Sequence, residues 1–203
     1  MFAARLFGAF EVSVDGVPLS RLRSRKTELL LAYLIIHADQ TLERDWLCQT
    51  IWPESEFESS RLNLRQSLSD IRKALGAVSH RLSSPSGRSV RFCSDDSKID
   101  VVEFDQLCAG NPTSQSVERL IELMERPLLE QFAYPLVVEE RESRNRRLCD
   151  LVGHAAECAI QDGRTAQAVR VGRPAGERNL RPRADCFPSF GKPRQGHLKQ
   201  LVG

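Results

Sequence analysis

The sequence predicts a mainly α-helical fold with small β-hairpins, in which a winged helix-turn-helix domain precedes an all-α, TPR-like helical domain. Three observations predict it. Residues 1–97 contain three helical segments between two hairpin patterns, residues 98–171 carry helical patterns without strand alternation, and residues 172–203 are rich in glycine and proline. We therefore expect two folded domains with these boundaries, followed by a disordered tail.

The first hairpin and the first helix are adjacent in the chain. The segment FGAFEVSV is followed by Asp15-Gly16 and VPL, which is typical of a hairpin with a tight turn. The next segment, TELLLAYLIIHA, places leucine and isoleucine around most of a helical surface, so it predicts a helix at the centre of a core. Asp39-Gln40-Thr41 ends this helix.

A second, shorter helix is predicted from the segment LERDWLCQTIWP. Its inward residues are expected to be Leu42, Trp46, Leu47 and Ile51, and Pro53 ends it. Trp46 and Trp52 are interpreted as residues that fill the core and anchor the following loop.

A third helix over Ser60–Leu75 has the clearest pattern in the sequence. Gly76 is well placed as its C-cap. Its apolar residues recur at i, i+4, i+7 and i+11, and they are Leu64, Leu68, Ile71 and Leu75. A second hairpin follows around Ser84-Pro85-Ser86-Gly87. Three helices followed by a hairpin predict the winged form of the helix-turn-helix.

The remainder of the chain divides in two. Helices are predicted over 114–131, 136–162 and 164–171, and their surfaces are acidic. The last 32 residues, 172–203, hold five glycines and four prolines, with seven basic and two acidic residues. Because this tail has no apolar periodicity, we expect it to be disordered and to be the first target of limited proteolysis.

Several functional classes are disfavoured by composition. The longest apolar run, Leu29–Ile36, is too short to span a bilayer, and the N-terminus lacks the pattern of an export signal, so we expect a cytoplasmic protein. The six cysteines include no CxxC pair, and the four histidines are far apart, so no metal site and no cofactor are predicted. Because no nucleophile or phosphate-binding motif occurs, we do not expect an enzyme.

Basic residues are expected at each place where a winged helix meets DNA. On the third helix, an arginine flank of Arg61, Arg65 and Arg72 borders an outward polar face. A basic run that includes Arg23, Arg25 and Lys26 precedes the predicted first helix, and the second hairpin carries Arg88 and Arg91. Arginine donates to phosphates and guanine edges, and Asn and Gln can recognise adenine. The predicted DNA-binding residues are Arg23, Arg25, Lys26, Arg61, Asn63, Arg65, Gln66, Ser69, Arg72, Lys73, Arg88 and Arg91.

An alternative interpretation stays open. The same helices would also suit a winged-helix protein-interaction module without specific DNA recognition, in which the third helix packs on a partner protein. The two differ in salt dependence, because neutralising phosphates makes affinity fall steeply with salt.

Several segments resemble one bacterial family. They are LFGAFEVSVDGVPLSRLRSRKTELLLAYL, WLCQTIWPE, SSRLNLRQSLSDIRKALG, DVVEFDQL and ERPLLEQFAYPLVVEERESRNRRLCDL. Over residues 5–171 they resemble the SARP-type (antibiotic-pathway regulatory) activators, whose OmpR-type winged helix is followed by a bacterial transcriptional activation domain. The resemblance implies a nucleoid-associated activator that binds direct repeats in promoter DNA, as a homodimer, and recruits RNA polymerase.

Two features depart from that family pattern. Asp70 stands where the family often has a basic residue in the third helix. After Val171 the sequence no longer matches the helices that continue the activation domain, and the change resembles a truncated or frameshifted reading frame. We therefore expect helices 136–171 to lack the neighbours that would cover them.

Overall fold

The structure, a computed structural model, describes residues 1–110 and 113–161. A 3-10 helix, Gly76–Arg81, lies between the predicted third helix and the predicted second hairpin. The strands and helices follow the order β1 (Phe2–Arg5), β2 (Glu11–Val14), β3 (Val17–Pro18), α1 (Arg25–Ile36), β4 (Thr41–Glu43), α2 (Arg44–Ile51), α3 (Phe57–Leu75), β5 (Leu82–Ser83), β6 (Ser89–Phe92), β7 (Ser97–Ile99), α4 (Asp100–Ala109), α5 (Ser114–Leu123) and α6 (Pro135–Gln161). This arrangement is compatible with the predicted winged-helix and helical parts.

The first sheet has the strand order β3-β2-β1-β7. The predicted hairpin is confirmed between β2 and β3, where Asp15 and Gly16 both adopt positive φ, as a tight turn with right-handed strand twist requires. Strand β7 pairs in parallel with β1, and Ala4 lies opposite Ile99. Strands β1 and β7 are absent from the sequence-based prediction because each is only three or four residues long and their pairing joins distant parts of the chain.

Helix α1 lies at the centre of the core, as predicted. Every residue from Leu29 to Ile36 is buried. Ser24 caps the helix by accepting a hydrogen bond from the backbone N–H of Thr27. Helix α3 packs across it with the predicted stripe buried, and Gly76 ends α3 with φ of 53°, which confirms it as the C-cap.

The prediction for the second helix was partly wrong. Trp46 does not point inward: 44% of it is exposed, and it contacts Tyr33 at the surface with 5.5 Å between ring centroids. Leu42 is not in the helix, because it lies in β4, whose pairing with β6 delays the start of α2 until Arg44. The buried tryptophan is Trp52, directly after the helix.

The second hairpin, formed by β5 and β6, is confirmed and is extended by a third strand. Strand β4 pairs with β6 to give the sheet order β4-β6-β5, and Leu82 lies opposite Phe92. This three-stranded sheet forms the wing beside α2 and α3.

The helical part differs from the prediction in its boundaries. Helix α4 begins at Asp100, directly after β7, so β7 spans the predicted domain boundary at residue 97. The helix predicted over 114–131 ends at Leu123, and the chain beyond it runs to an isolated bridge between Leu128 and Phe7. The helix predicted over 136–162 corresponds to α6. The predicted helix 164–171 and the predicted disordered tail 172–203 lie outside the described residues.

The two parts of the chain share one hydrophobic core. Asp100 accepts hydrogen bonds from the backbone N–H groups of Leu6 and Phe7, at 2.8 Å each. The N–H of Leu129 donates to the carbonyl oxygen of Leu6, at 2.7 Å, and Phe7 packs against Phe104 with 5.6 Å between ring centroids. The segment between β1 and β2 therefore connects the winged part to the helical part.

Candidate nucleic-acid interface

The orientation of α3 is fixed by its buried face. Leu64, Leu68 and Ile71 are each no more than 2% exposed. Between α1 and α3, the buried hydroxyl groups of Thr27 and Ser67 form a hydrogen bond of 3.0 Å. Because apolar packing and a polar contact both hold this face inward, the opposite face of α3 is directed to solvent.

The outward face of α3 and its borders carry five of the side chains predicted to bind DNA. Arg65, Ser69 and Lys73 are exposed, while Asn63 and Gln66 are half-buried. None of these five side chains forms a hydrogen bond or ion pair with another described residue. The face therefore presents donors and acceptors that can bind an external partner.

The three arginines of the predicted flank do not share one surface that is open to an external partner. Arg61 binds the carboxylate of Asp45 on α2 with both a terminal nitrogen, at 3.0 Å, and Nε, at 3.1 Å, and lies over the ring of Phe57. Arg72 instead turns to the wing, where it donates to the hydroxyl oxygen of Ser84 at 3.1 Å. Arg65 lies between them without such a partner.

Arg44 is a basic residue of this region that sequence reasoning missed. Its terminal nitrogen donates to the Ser84 hydroxyl at 3.0 Å, and its backbone N–H donates to the carbonyl oxygen of Arg88 at 2.8 Å. Burial, followed by the positive charges of Arg72 and Arg65, lowers the pKa of Arg44. In the sequence, Arg44 belongs to no basic run and no helical stripe; its position near the predicted start of the second helix was the only signal.

These residues meet in an open cleft between α2, α3 and the wing, with a volume of about 450 Å³. Four arginines and one carboxylate line it: Arg44, Arg61, Arg65, Arg88 and Asp45. Clustered positive charge beside low-dielectric protein raises the local concentration of anions. The cleft is therefore suited to bind a negatively charged group.

The basic run at the start of α1 is divided among three environments, and its residues Arg25 and Lys26 belong to the helix itself. The backbone N–H of Arg23 donates to the carboxylate of Asp70 at 2.8 Å, which gives Asp70 a structural partner. Lys26 forms an ion pair with Glu54. The hydrogen bond that Lys26 donates to the Glu54 carboxylate is the main cause that lowers the pKa of this carboxyl group. Arg25 turns to the helical part, where it donates to the carbonyl oxygen of Gln131 and lies 5.5 Å from the centroid of the Phe132 ring.

The two wing arginines also differ. Arg88 is exposed and lines the cleft. Arg91 pairs with Asp39, after α1, at 3.6 Å, and does not line the cleft. Of the predicted basic residues, the structure thus brings Arg61, Arg65 and Arg88 together and holds Arg25 and Arg91 against other groups.

No family model matches this chain, and no curated protein matches it. Among solved structures, the chain is similar to EmbR of Mycobacterium tuberculosis in complex with a low-affinity phosphopeptide, with a TM-score of 0.65 and 20% sequence identity. The similarity covers 83% of this chain and 48% of the EmbR chain, so the present chain spans about half the length of EmbR. In residues 1–110 and 113–161, no helix is long and apolar enough to cross a membrane. The likeness shows that this chain shares the fold of the matched part of EmbR.

Proposed function

We propose that this chain is a sequence-specific DNA-binding transcriptional regulator, in which α3 enters the major groove and the basic cleft holds the phosphate backbone. The observation that carries the proposal is the outward face of α3. Its polar side chains have no partner among the described residues, and the arginine cleft lies beside it. Side chains that contact base edges specify sequence, whereas basic groups beside them position the helix.

The finer proposal is that the regulator is an activator. It binds repeats in promoter DNA, as a homodimer, and recruits RNA polymerase. The sequence resemblance to SARP-type activators and the EmbR-like fold support it. The phosphopeptide of EmbR is not part of the proposal, because more than half of the EmbR chain lies outside the match. A transcription assay with purified RNA polymerase and the promoter next to the gene would measure activation directly.

The test of specific binding uses Gln66→Ala. Fluorescence anisotropy would compare promoter duplex and random duplex of equal length, for the parent and the variant. If Gln66 contacts a base edge, the variant loses about 1–3 kcal/mol of binding free energy on the operator and little on random DNA. Lys98→Ala is the control, because Lys98 is exposed in β7 and does not line the cleft.

A parent protein whose affinity for both duplexes is weak and independent of salt would contradict the proposal. That result would favour the second candidate, a winged-helix protein-interaction module. One observation supports this candidate: Phe57 and Leu62 of α3 are 43% and 48% exposed. Exposed apolar side chains on one helix suit a protein partner better than a phosphate backbone.

A further inference from the structure

The arginine cleft contains two kinds of guanidinium group. Arg44 and Arg61 are held by other described residues: Arg44 by Ser84 and the carbonyl oxygen of Ser89, and Arg61 by Asp45. Arg65 and Arg88 line the same cleft, and their side chains form no hydrogen bond or ion pair with another described residue. The held pair fixes the walls of the cleft, and the other pair presents donors within it.

The positive charge of this cleft is not balanced by the residues that line it. Asp45 is its single carboxylate among the lining residues, and both of its oxygens accept from Arg61. Nearby, Arg72 approaches Arg44 through their shared partner Ser84. Like charges that are held together destabilise one another until an anion binds between them.

We infer that the cleft is a single phosphate site, in which Arg65 of α3 and Arg88 of the wing bind the same DNA backbone phosphate. The planar fork of a guanidinium group matches the oxygens of a phosphate. The site rests on the proposed DNA-binding function and deepens it: one phosphate connects the recognition helix and the wing. Arg44 is its positioning residue, because it ties the wing to α2 through Ser84, Ser89 and the carbonyl oxygen of Arg88.

Because Arg44 also holds the wing, the test uses Arg65→Ala, Arg88→Ala and the double variant. Anisotropy with a random duplex would give the slope of log affinity against log salt concentration. Each single variant should weaken binding but reduce the magnitude of the slope by clearly less than about one, since the remaining arginine still neutralises the shared phosphate. The double variant should reduce it by about one, because the phosphate then loses both of its arginines. Lys98→Ala removes an equal charge outside the cleft and should leave the slope nearly unchanged.

A slope that falls by about two in the double variant would overturn the shared site, since each arginine would then bind its own phosphate. Unchanged slopes in all three variants would also overturn it while leaving DNA binding by the parent intact. A second measurement separates the site from the proposed function: inorganic phosphate is titrated while the arginine Nε–H resonances are followed by NMR. Shifts of Arg65 and Arg88 in a parent that does not bind DNA would support an anion site and refute the DNA-binding function. The absence of such shifts in a parent that binds DNA would refute the site alone.

Discussion

Individual polar residues in this protein are assigned to different tasks by their neighbours. Lys26 and Arg25 belong to one basic run, yet Lys26 is paired with Glu54 and Arg25 lies against Phe132. Asp70 interrupts a basic helix face, and its carboxylate accepts the backbone N–H of Arg23. Residue type alone therefore does not separate a DNA contact from a structural contact, because both use the same charged groups.

Asp100 gives a prediction at this scale. Its carboxylate accepts the backbone N–H groups of Leu6, Phe7 and Val101, and burial is the main cause that raises its pKa. In Asp100→Asn, the amide nitrogen cannot accept a hydrogen bond, so at least one N–H loses its partner. We expect the variant to lose about 1–3 kcal/mol of unfolding free energy, measured by urea denaturation.

Asp96→Asn is the matched control for Asp100→Asn, because Asp96 is exposed. It should unfold at nearly the same urea concentration as the parent. Equal stability of all three proteins would show that the carboxylate does not hold the segment between β1 and β2.

At the scale of elements, α3 has two faces with separate roles. The inward face packs on α1, and the outward face carries the polar residues proposed to contact DNA. The helix also contacts α2 through the Arg61–Asp45 ion pair, and it contacts the wing through the hydrogen bond from Arg72 to Ser84. Stability and binding can therefore be changed independently by substitutions on opposite faces.

The prediction for this element compares Leu68→Ala with Ser69→Ala. Leu68 is 1% exposed, so its truncation leaves a cavity and should cost about 2–5 kcal/mol, a large share of the stability of a small domain. Ser69 is exposed, and its substitution should change stability by less than about 0.5 kcal/mol. Thermal unfolding monitored by circular dichroism measures both, and equal melting temperatures would refute the buried stripe.

At the scale of the whole molecule, the winged part and the helical part are packed together. Phe7 lies against Phe104 of α4, and Leu128 and Leu129 are buried beside the segment after β1. His37 after α1 lies 3.1 Å from the carboxylate of Glu140 on α6. A fragment of residues 1–100 would lack Phe104, Leu128 and Leu129 and would therefore expose Phe7. We therefore expect that fragment to be less stable than the intact chain.

Phe104→Ala tests this coupling. The chain has two tryptophans, Trp46 and Trp52, and both lie in the winged part, so tryptophan fluorescence reports on that part. Because Phe104 is fully buried, its truncation should lower the free energy of unfolding by about 3–5 kcal/mol. The midpoint of the unfolding transition should therefore fall when it is followed by tryptophan fluorescence as well as by circular dichroism. Val138→Ala, at a residue 41% exposed on α6, is the control. A fluorescence midpoint that stays at the parent value would show that the two parts unfold separately.

The sequence by itself determined the elements whose signals are local. The stripe from Leu64 to Leu75, the turn at Asp15-Gly16 and the cap at Gly76 follow from periodicity and backbone preference within a few residues. The outward face of α3 followed from the same periodicity. Tertiary structure alone decided the pairing of β1 with β7, the exposure of Trp46, the position of Arg44 in the basic cleft and the contact of Arg25 with Phe132. Each of these depends on residues far apart in the chain, and their contact is fixed by packing of the whole core, which no local pattern specifies.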